Sequence, residues 1–138
     1  MQNVQANRYQ DLIAWQKAIA LVTEVYEQTR EFPRDEIYGF TSQMRRAAAS
    51  IPSNIAEGQG RASTGEFIQF LCNARGSLYE LETQVIVAFN LRYLSEGQRD
   101  KLIDAASELG RILNGLINSV QYRKKEAVTS HRPLATSD

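Results

Sequence analysis

A seam of apolar residues runs through positions 67–88, and it constrains the fold more than any other feature of the sequence. Its members alternate at steps of four and three: Phe67, Leu71, Ala74, Leu78, Leu81, Val85 and Ala88. This spacing places them along one side of a helix, as in packed helical bundles. Ser63 precedes the seam and Glu66 follows three residues later, which is a capping box and predicts the start of the helix.

Three further segments show the same periodicity. The first helix is expected over residues 11–31, ended by Phe32 and Pro33, and the second from Asp35 or Glu36 to the glycines at 58 and 60. Ser95 and Gln98 form a second capping box before the fourth helix. The predicted apolar rows are Leu12, Trp15, Ile19, Val22 and Tyr26; Ile37, Phe40, Met44, Ala47, Ile51 and Ile55; and Leu102, Ala106, Leu109, Leu113, Leu116 and Val120.

Short connections between four consecutive helices predict an all-α, antiparallel up-down-up-down four-helix bundle. One bundle domain is expected over residues 1–121. The remaining residues, 122–138, lose the apolar periodicity and predict a mobile C-terminal tail.

Pro52 interrupts the second helix. It lacks the amide that would bond the carbonyl of Ala48, at a cost of about 3 kcal/mol in a helix interior. We expect a kink, with Ser50 and Ser53 bonding freed backbone groups. The alternative is a break in which Pro52 opens a new helix.

The composition excludes several classes of protein. Sixteen basic and sixteen acidic residues give no net charge, and residues 1–121 hold twelve basic against fourteen acidic residues once the tail is subtracted. One cysteine and one histidine exclude an internal disulfide and predict no metal site. No apolar run reaches the ~20 residues that span a bilayer, so we expect no membrane association and a cytoplasmic protein.

No catalytic site is predicted, and no cofactor. His131 lies in the polar tail, Cys72 reads as a small hydrophobic residue beside the seam, and Glu80 and Glu82 point to different sides of a helix. The glycine-rich segment GQGRASTGE lacks the Lys of a phosphate-binding loop and follows a helix instead of a strand. One hypothesis stays open there: the start of the third helix, with Arg61 beside it, holds a phosphate or a carboxylate.

The second helix carries a polar row as well as its apolar one. The row is rich in residues that pack closely and make defined hydrogen bonds, which suggests a contact surface. Three alanines, 47–49, would let a neighbouring helix approach closely. The interface residues predicted from the row are Gln43, Arg46, Ser50, Asn54, Glu57 and Arg61.

The runs SQMRRAAASIPSNIAEGQGR and GSLYELETQ, within a similarity that covers about residues 9–120, resemble the family of bacterial proteins encoded in intervening sequences of 23S rRNA genes. The resemblance implies an antiparallel four-helix bundle without enzymatic activity, assembled as a homopentameric ring. It also implies a relation to accessory proteins of diversity-generating retroelements, in which a basic barrel is thought to bind nucleic acid. The neutral composition of this chain departs from that branch.

We therefore expect a non-catalytic, oligomeric binding or scaffolding protein, with RNA or a nucleoprotein as its partner. The alternative is a structural assembly partner for another protein, without nucleic-acid binding. Local cation clusters are the candidates for binding nucleic acid or another anion: Arg45, Arg46, Arg61, Arg123, Lys124 and Lys125.

Overall fold

The computed structural model describes residues 8–130, and these residues form helices without a strand. Four α-helices follow one another: α1 (Ile13–Gln28), α2 (Phe40–Gln59), α3 (Thr64–Asn90) and α4 (Glu96–Ser130). Two short 3-10 turns, Tyr9–Asp11 and Arg34–Glu36, precede α1 and α2. The predicted all-α class is confirmed.

The helices form a four-membered ring in cross-section. Within the described residues the backbone of α1 lies beside those of α2 and α4, and α3 lies beside the same two helices, so that α1 and α3 are diagonal to each other. Each helix reverses direction relative to the one before it because the connections are short. The arrangement agrees with the predicted up-down-up-down bundle.

Both predicted capping boxes mark real helix starts. The Ser63 hydroxyl accepts a hydrogen bond from the Glu66 amide at 3.1 Å, directly before α3. At α4 the bonding is reciprocal: the Gln98 amide donates to the Ser95 hydroxyl, and the Ser95 amide donates to the Gln98 side chain at 2.8 Å. These bonds satisfy amides that have no partner within the helix.

The seam of α3 is confirmed, since all of its members are buried except the half-buried Phe67. The prediction for α4 needs one correction, because Ile117 is buried at the position given to Leu116. In the row predicted for α2, Met44, Ala47, Ile51 and Ile55 are buried, Phe40 is half-buried and Ile37 is half exposed.

The predicted apolar row of α1 is correct only in part, since Leu12, Trp15 and Val22 pack against the core but are half-buried. The buried residues of this helix are Ala14, Ala18, Leu21 and Val25. The larger side chains of the predicted row lie beside the core, with Ile19 38% and Tyr26 44% exposed. Small alanines occupy the inner side because they let α1 approach its neighbours closely, and periodicity alone does not separate two adjacent apolar rows.

Helix α2 runs through Pro52 to Gln59, so the alternative of a new helix opening at Pro52 is wrong. Ser50 and Ser53 donate to the carbonyls of Ala47 and Ala49, on either side of the Ala48 carbonyl that the proline leaves without its usual donor. The helix ends at Gln59 with Gly60 as its C-cap, as predicted for the second glycine, whereas Gly58 does not break it.

Gly58 is buried inside α2, where it allows α3 to approach. A Cβ added at Gly58 would lie 2.6 Å from the Cβ of Phe70 and 3.1 Å from Cδ1 of Phe67. The glycine is therefore a packing residue and does not end the helix.

Helix α2 also begins later than expected, at Phe40. The chain before it forms the 3-10 turn Arg34–Glu36, and Glu36 accepts a hydrogen bond from the hydroxyl of Tyr93 at 2.8 Å. That hydrogen bond, together with burial and the negative charges of Glu36 and Asp35, raises the pKa of Tyr93. The segment before α2 is thus tied to the connection between α3 and α4.

Helix α4 extends well beyond the predicted boundary at residue 121. Among residues 96–128 Val120 is the last buried one, and residues 121–128 are exposed although they continue the helix, which is described as far as Ser130. The correction has a physical reason: Arg, Lys, Glu and Ala are good helix formers even without an apolar row. The rest of the predicted tail, 131–138, with His131, lies outside the described residues.

Candidate functional site

Four of the six predicted cations lie at one end of the bundle. The antiparallel order brings the end of α2, the start of α3 and the end of α4 together there. Arg61 and Arg123 line a common cleft of about 540 Å³ with Thr64, the first residue of α3. We call Arg61, Arg123, Lys124 and Lys125 the basic end.

The two lysines line a neighbouring cleft of about 820 Å³ between α3 and α4, together with Gly65 and Ile68. Lys124 reaches the first turn of α3, where its Nζ atom lies 3.3 Å from the position of a Cβ added at Gly65. The start of a helix carries partial positive charge, so this turn adds to the potential of the lysines.

The members of the basic end differ in their bonding. Arg61 pairs with Glu57 at 2.6 Å and stacks on the ring of Phe70 at 4.7 Å. Arg123, Lys124 and Lys125 form no ion pair with a described residue. These three side chains are exposed and retain their donors for a ligand.

The other two predicted cations lie elsewhere. Arg45 and Arg46 are at least 15 residues before Arg61, about 22 Å along a helix. Nε of Arg45 donates to the hydroxyl of Thr29 at 2.9 Å, and its guanidinium stacks on the ring of Tyr26 at 4.6 Å. Arg45 therefore joins α1 to α2, while Arg46 is exposed and donates to Ser42.

The predicted polar row of α2 lies along the outer surface of that helix and ends at Arg61, which stacks on Phe70 of α3. Ser50 and Asn54 are half-buried, and both donate to carbonyls of their own helix, at 2.9 and 2.8 Å. Glu57 and Arg61 bond each other. Gln43 and Arg46, the first two members, are exposed.

The described residues offer no group of side chains that could hold a metal ion. No cluster of three His, Cys, Asp or Glu side chains fit to hold a metal ion occurs between residues 8 and 130. Cys72 is half-buried, with Arg75 as its neighbour at 3.8 Å. In the same part of the chain, none of the helices has the length and apolar character needed to cross a bilayer.

Sequence reasoning missed one surface, which we call the α3 face. It consists of the exposed residues of α3 and the next residue, from 69 to 91: Gln69, Asn73, Gly76, Tyr79, Glu80, Thr83, Ile86, Val87, Asn90 and Leu91. Only Glu80 among them is charged. The signal was present in the segment TQVIVAFNL, which holds more apolar residues than one seam needs.

Glu82 borders this surface on the same helix. It is half-buried and has no ion-pair partner among the described residues. Burial raises the pKa of its carboxyl group.

Fold and site together define a four-helix bundle with a basic end. The sequence model of the family described as 23S rRNA-intervening sequence proteins matches residues 10–115. The chain belongs to this family.

A solved structure supports the fold. It is a crystal structure from Bacteroides thetaiotaomicron VPI-5482, described as a protein with unknown function from the S23 ribosomal protein family. The TM-score is 0.72 at 19% sequence identity, over 77% of this chain and 96% of that one. A comparison with curated proteins returned no match.

Proposed function

We propose that this protein is a non-catalytic, cytoplasmic, oligomeric scaffold that binds the phosphate backbone of RNA through its basic end. One observation carries the proposal: Arg123, Lys124 and Lys125, none of which pairs with an acid of the described chain, lie beside the start of α3. Cations free of internal partners release counterions from a polyanion when they bind it.

The family description names no reaction, which is compatible with a non-catalytic protein. Assembly of several copies, five in the ring that the resemblance implies, repeats the basic end in each subunit. Repetition makes a patch of a few cations effective on a chain without net charge. The relation to retroelement accessory proteins would fit the same mode of binding.

Fluorescence anisotropy with a labelled RNA duplex across a salt titration tests the proposal. The variant replaces Arg123, Lys124 and Lys125 by glutamate. We expect affinity at low salt to fall at least about tenfold, and the slope of log affinity against log salt to become shallower. Arg45 is left unchanged because it bonds Thr29 and stacks on Tyr26.

A charge-matched control replaces three exposed arginines away from the basic end: Arg30, Arg34 and Arg111. It should retain most of the affinity of the wild-type protein. Equal losses in both variants would mean that only net charge matters and would contradict the assignment of the basic end. If the wild-type protein ignores RNA even at low salt, the alternative of an assembly partner for another protein is favoured.

A further inference from the structure

Two surfaces on different sides of the bundle have complementary character. The first is the α3 face, where Tyr79, Ile86, Val87 and Leu91 are 50%, 44%, 39% and 50% exposed. Exposed large apolar side chains grouped on one helix, with almost no charge between them, are typical of a surface that another protein covers.

The second surface is a groove of about 270 Å³ between the end of α1 and the start of α2. We call it the side groove, and it is lined by Tyr26, Ile37, Ser42, Arg45, Arg46 and Ala49. It has aromatic and aliphatic walls and two arginines, and no carboxylate lines it. The partly exposed Ile19 and Val22 extend its apolar wall along α1.

The charges of the two surfaces are opposite, and none of them forms an ion pair within residues 8–130. Glu80 lies on the α3 face and Glu82 at its edge, and neither forms an ion pair with a described residue. Arg45 and Arg46 form none either; they bond hydroxyls instead. A contact between the surfaces would join apolar to apolar side chains and acids to arginines.

We propose that the α3 face of one copy of this chain packs against the side groove of the next copy. The inference deepens the proposed function, since it rests on the oligomer stated there and assigns its interface. A second copy is the partner that the observations favour, because both halves of the complementary pair occur on the same chain.

The location of the surfaces decides the type of symmetry. The two surfaces differ, so the contact is heterologous and each copy still offers one free surface after pairing. The side groove borders α2, and α2 packs on α3, so the two surfaces do not lie on opposite sides of the bundle. Successive copies therefore turn relative to each other, and the assembly can close as a ring.

Charge exchange and mixing test this interface, with mass in solution measured by sedimentation equilibrium. Arg46→Glu and Glu80→Lys should each raise the dissociation constant at least about tenfold, since each brings like charges together. Combining both in one chain should restore most of the assembly. Asp104→Lys on the charged outer side of α4 is the control and should leave the mass unchanged.

The mixing experiment uses two blocked chains. One carries Arg46→Glu with Ala49→Glu in the side groove, and the other carries Val87→Glu on the α3 face. Each alone should be a monomer of about 15.6 kDa. Their mixture should form a one-to-one heterodimer, because only one intact groove and one intact face remain. Circular dichroism of each variant checks that it is folded.

The remaining outcomes separate this inference from the proposed function. Self-association of either blocked chain would overturn the heterologous contact. An oligomer that survives every substitution would overturn this interface and leave assembly standing. A monomeric wild-type protein would refute the oligomer itself, while the RNA titration reports on the basic end independently.

Discussion

The outer sides of α3 and α4 differ sharply although the helices are neighbours. Between residues 96 and 111 the exposed residues of α4 are Glu96, Gly97, Asp100, Lys101, Asp104, Glu108 and Arg111, so that every one but the glycine is charged. The ten exposed residues of the α3 face include one charge, Glu80. Helix α4 has the exterior of a solvated helix, whereas the exterior of α3 has the composition of an interface.

The sides of the two helices that face the core also differ, and here α3 is the more polar of the two. Helix α3 buries Gln84, which is 8% exposed and whose Oε1 atom has no hydrogen-bond partner in the described part of the chain. The buried residues of α4 up to Val120 are all apolar. Helix α3 thus places apolar residues outside and a polar residue inside, an arrangement expected of a helix packed on more than one side.

The largest effect is expected at the contact of α3 with α2. Gly58→Ala should lower the free energy of unfolding by about 1–3 kcal/mol, because the added Cβ would lie 2.6 Å from the Cβ of Phe70. That atom is close to the backbone of α3, so the helices must move apart. Urea denaturation, followed by circular dichroism, measures the change.

Gly110→Ala is the matched control, on the contact of α3 with α4. Its added Cβ would lie 3.5 Å from Cδ2 of Leu78, an ordinary contact. We expect no loss of stability there. If Gly58→Ala leaves the free energy of unfolding unchanged, α3 does not pack more closely on α2 than on α4. The difference proposed here between the two contacts of α3 would then be contradicted.

The buried amide of α3 gives the next effect. Gln84→Met keeps the side-chain length and removes the unpaired Oε1, so the free energy of unfolding should rise by about 1 kcal/mol. Thermal and urea denaturation measure it, with the exposed Gln69→Met as control, for which we expect a change within about 0.5 kcal/mol. A destabilised Gln84→Met protein would mean that the amide makes a favourable interaction inside the bundle.

The fold was predictable because its signals are local. Capping boxes at Ser63 and Ser95 fix two helix starts through bonds within three residues, and the seam of α3 has one apolar side that dominates its periodicity. In α1 two apolar rows lie side by side, and the alanines that face the core are smaller than Ile19 and Tyr26, which are exposed. Only the packing of the whole bundle decides between such rows.

The candidate site was predictable in part for a similar reason. Charge runs identify Arg123, Lys124 and Lys125, but not that Arg61 lies at the same end and Arg45 does not. Proximity between α2 and α4 depends on helix lengths and turns, which are tertiary properties. The α3 face was not predicted because the four-three periodicity of a helix identifies only one apolar side.

The smallest effect compares two glycines with open space around them, Gly76 on the α3 face and Gly115 on α4. A Cβ added at either meets no atom within 4 Å. Lysine is the better helix former, so Gly76→Lys and Gly115→Lys should each raise the free energy of unfolding by about 0.5 kcal/mol. Urea denaturation of the blocked Arg46→Glu, Ala49→Glu chain measures this without a contribution from assembly.

The Gly76→Lys and Gly115→Lys variants should differ in their dissociation constants for assembly when each substitution is made in an otherwise wild-type chain. A lysine at 76 places a long charged side chain in the proposed contact, so it should raise the dissociation constant, while a lysine at 115 should not. If the two variants have equal free energies of unfolding but unequal dissociation constants, the uncharged exterior of α3 is explained by contact with another copy. If both variants assemble as the wild-type protein does, contact between copies at Gly76 does not explain the uncharged exterior of α3.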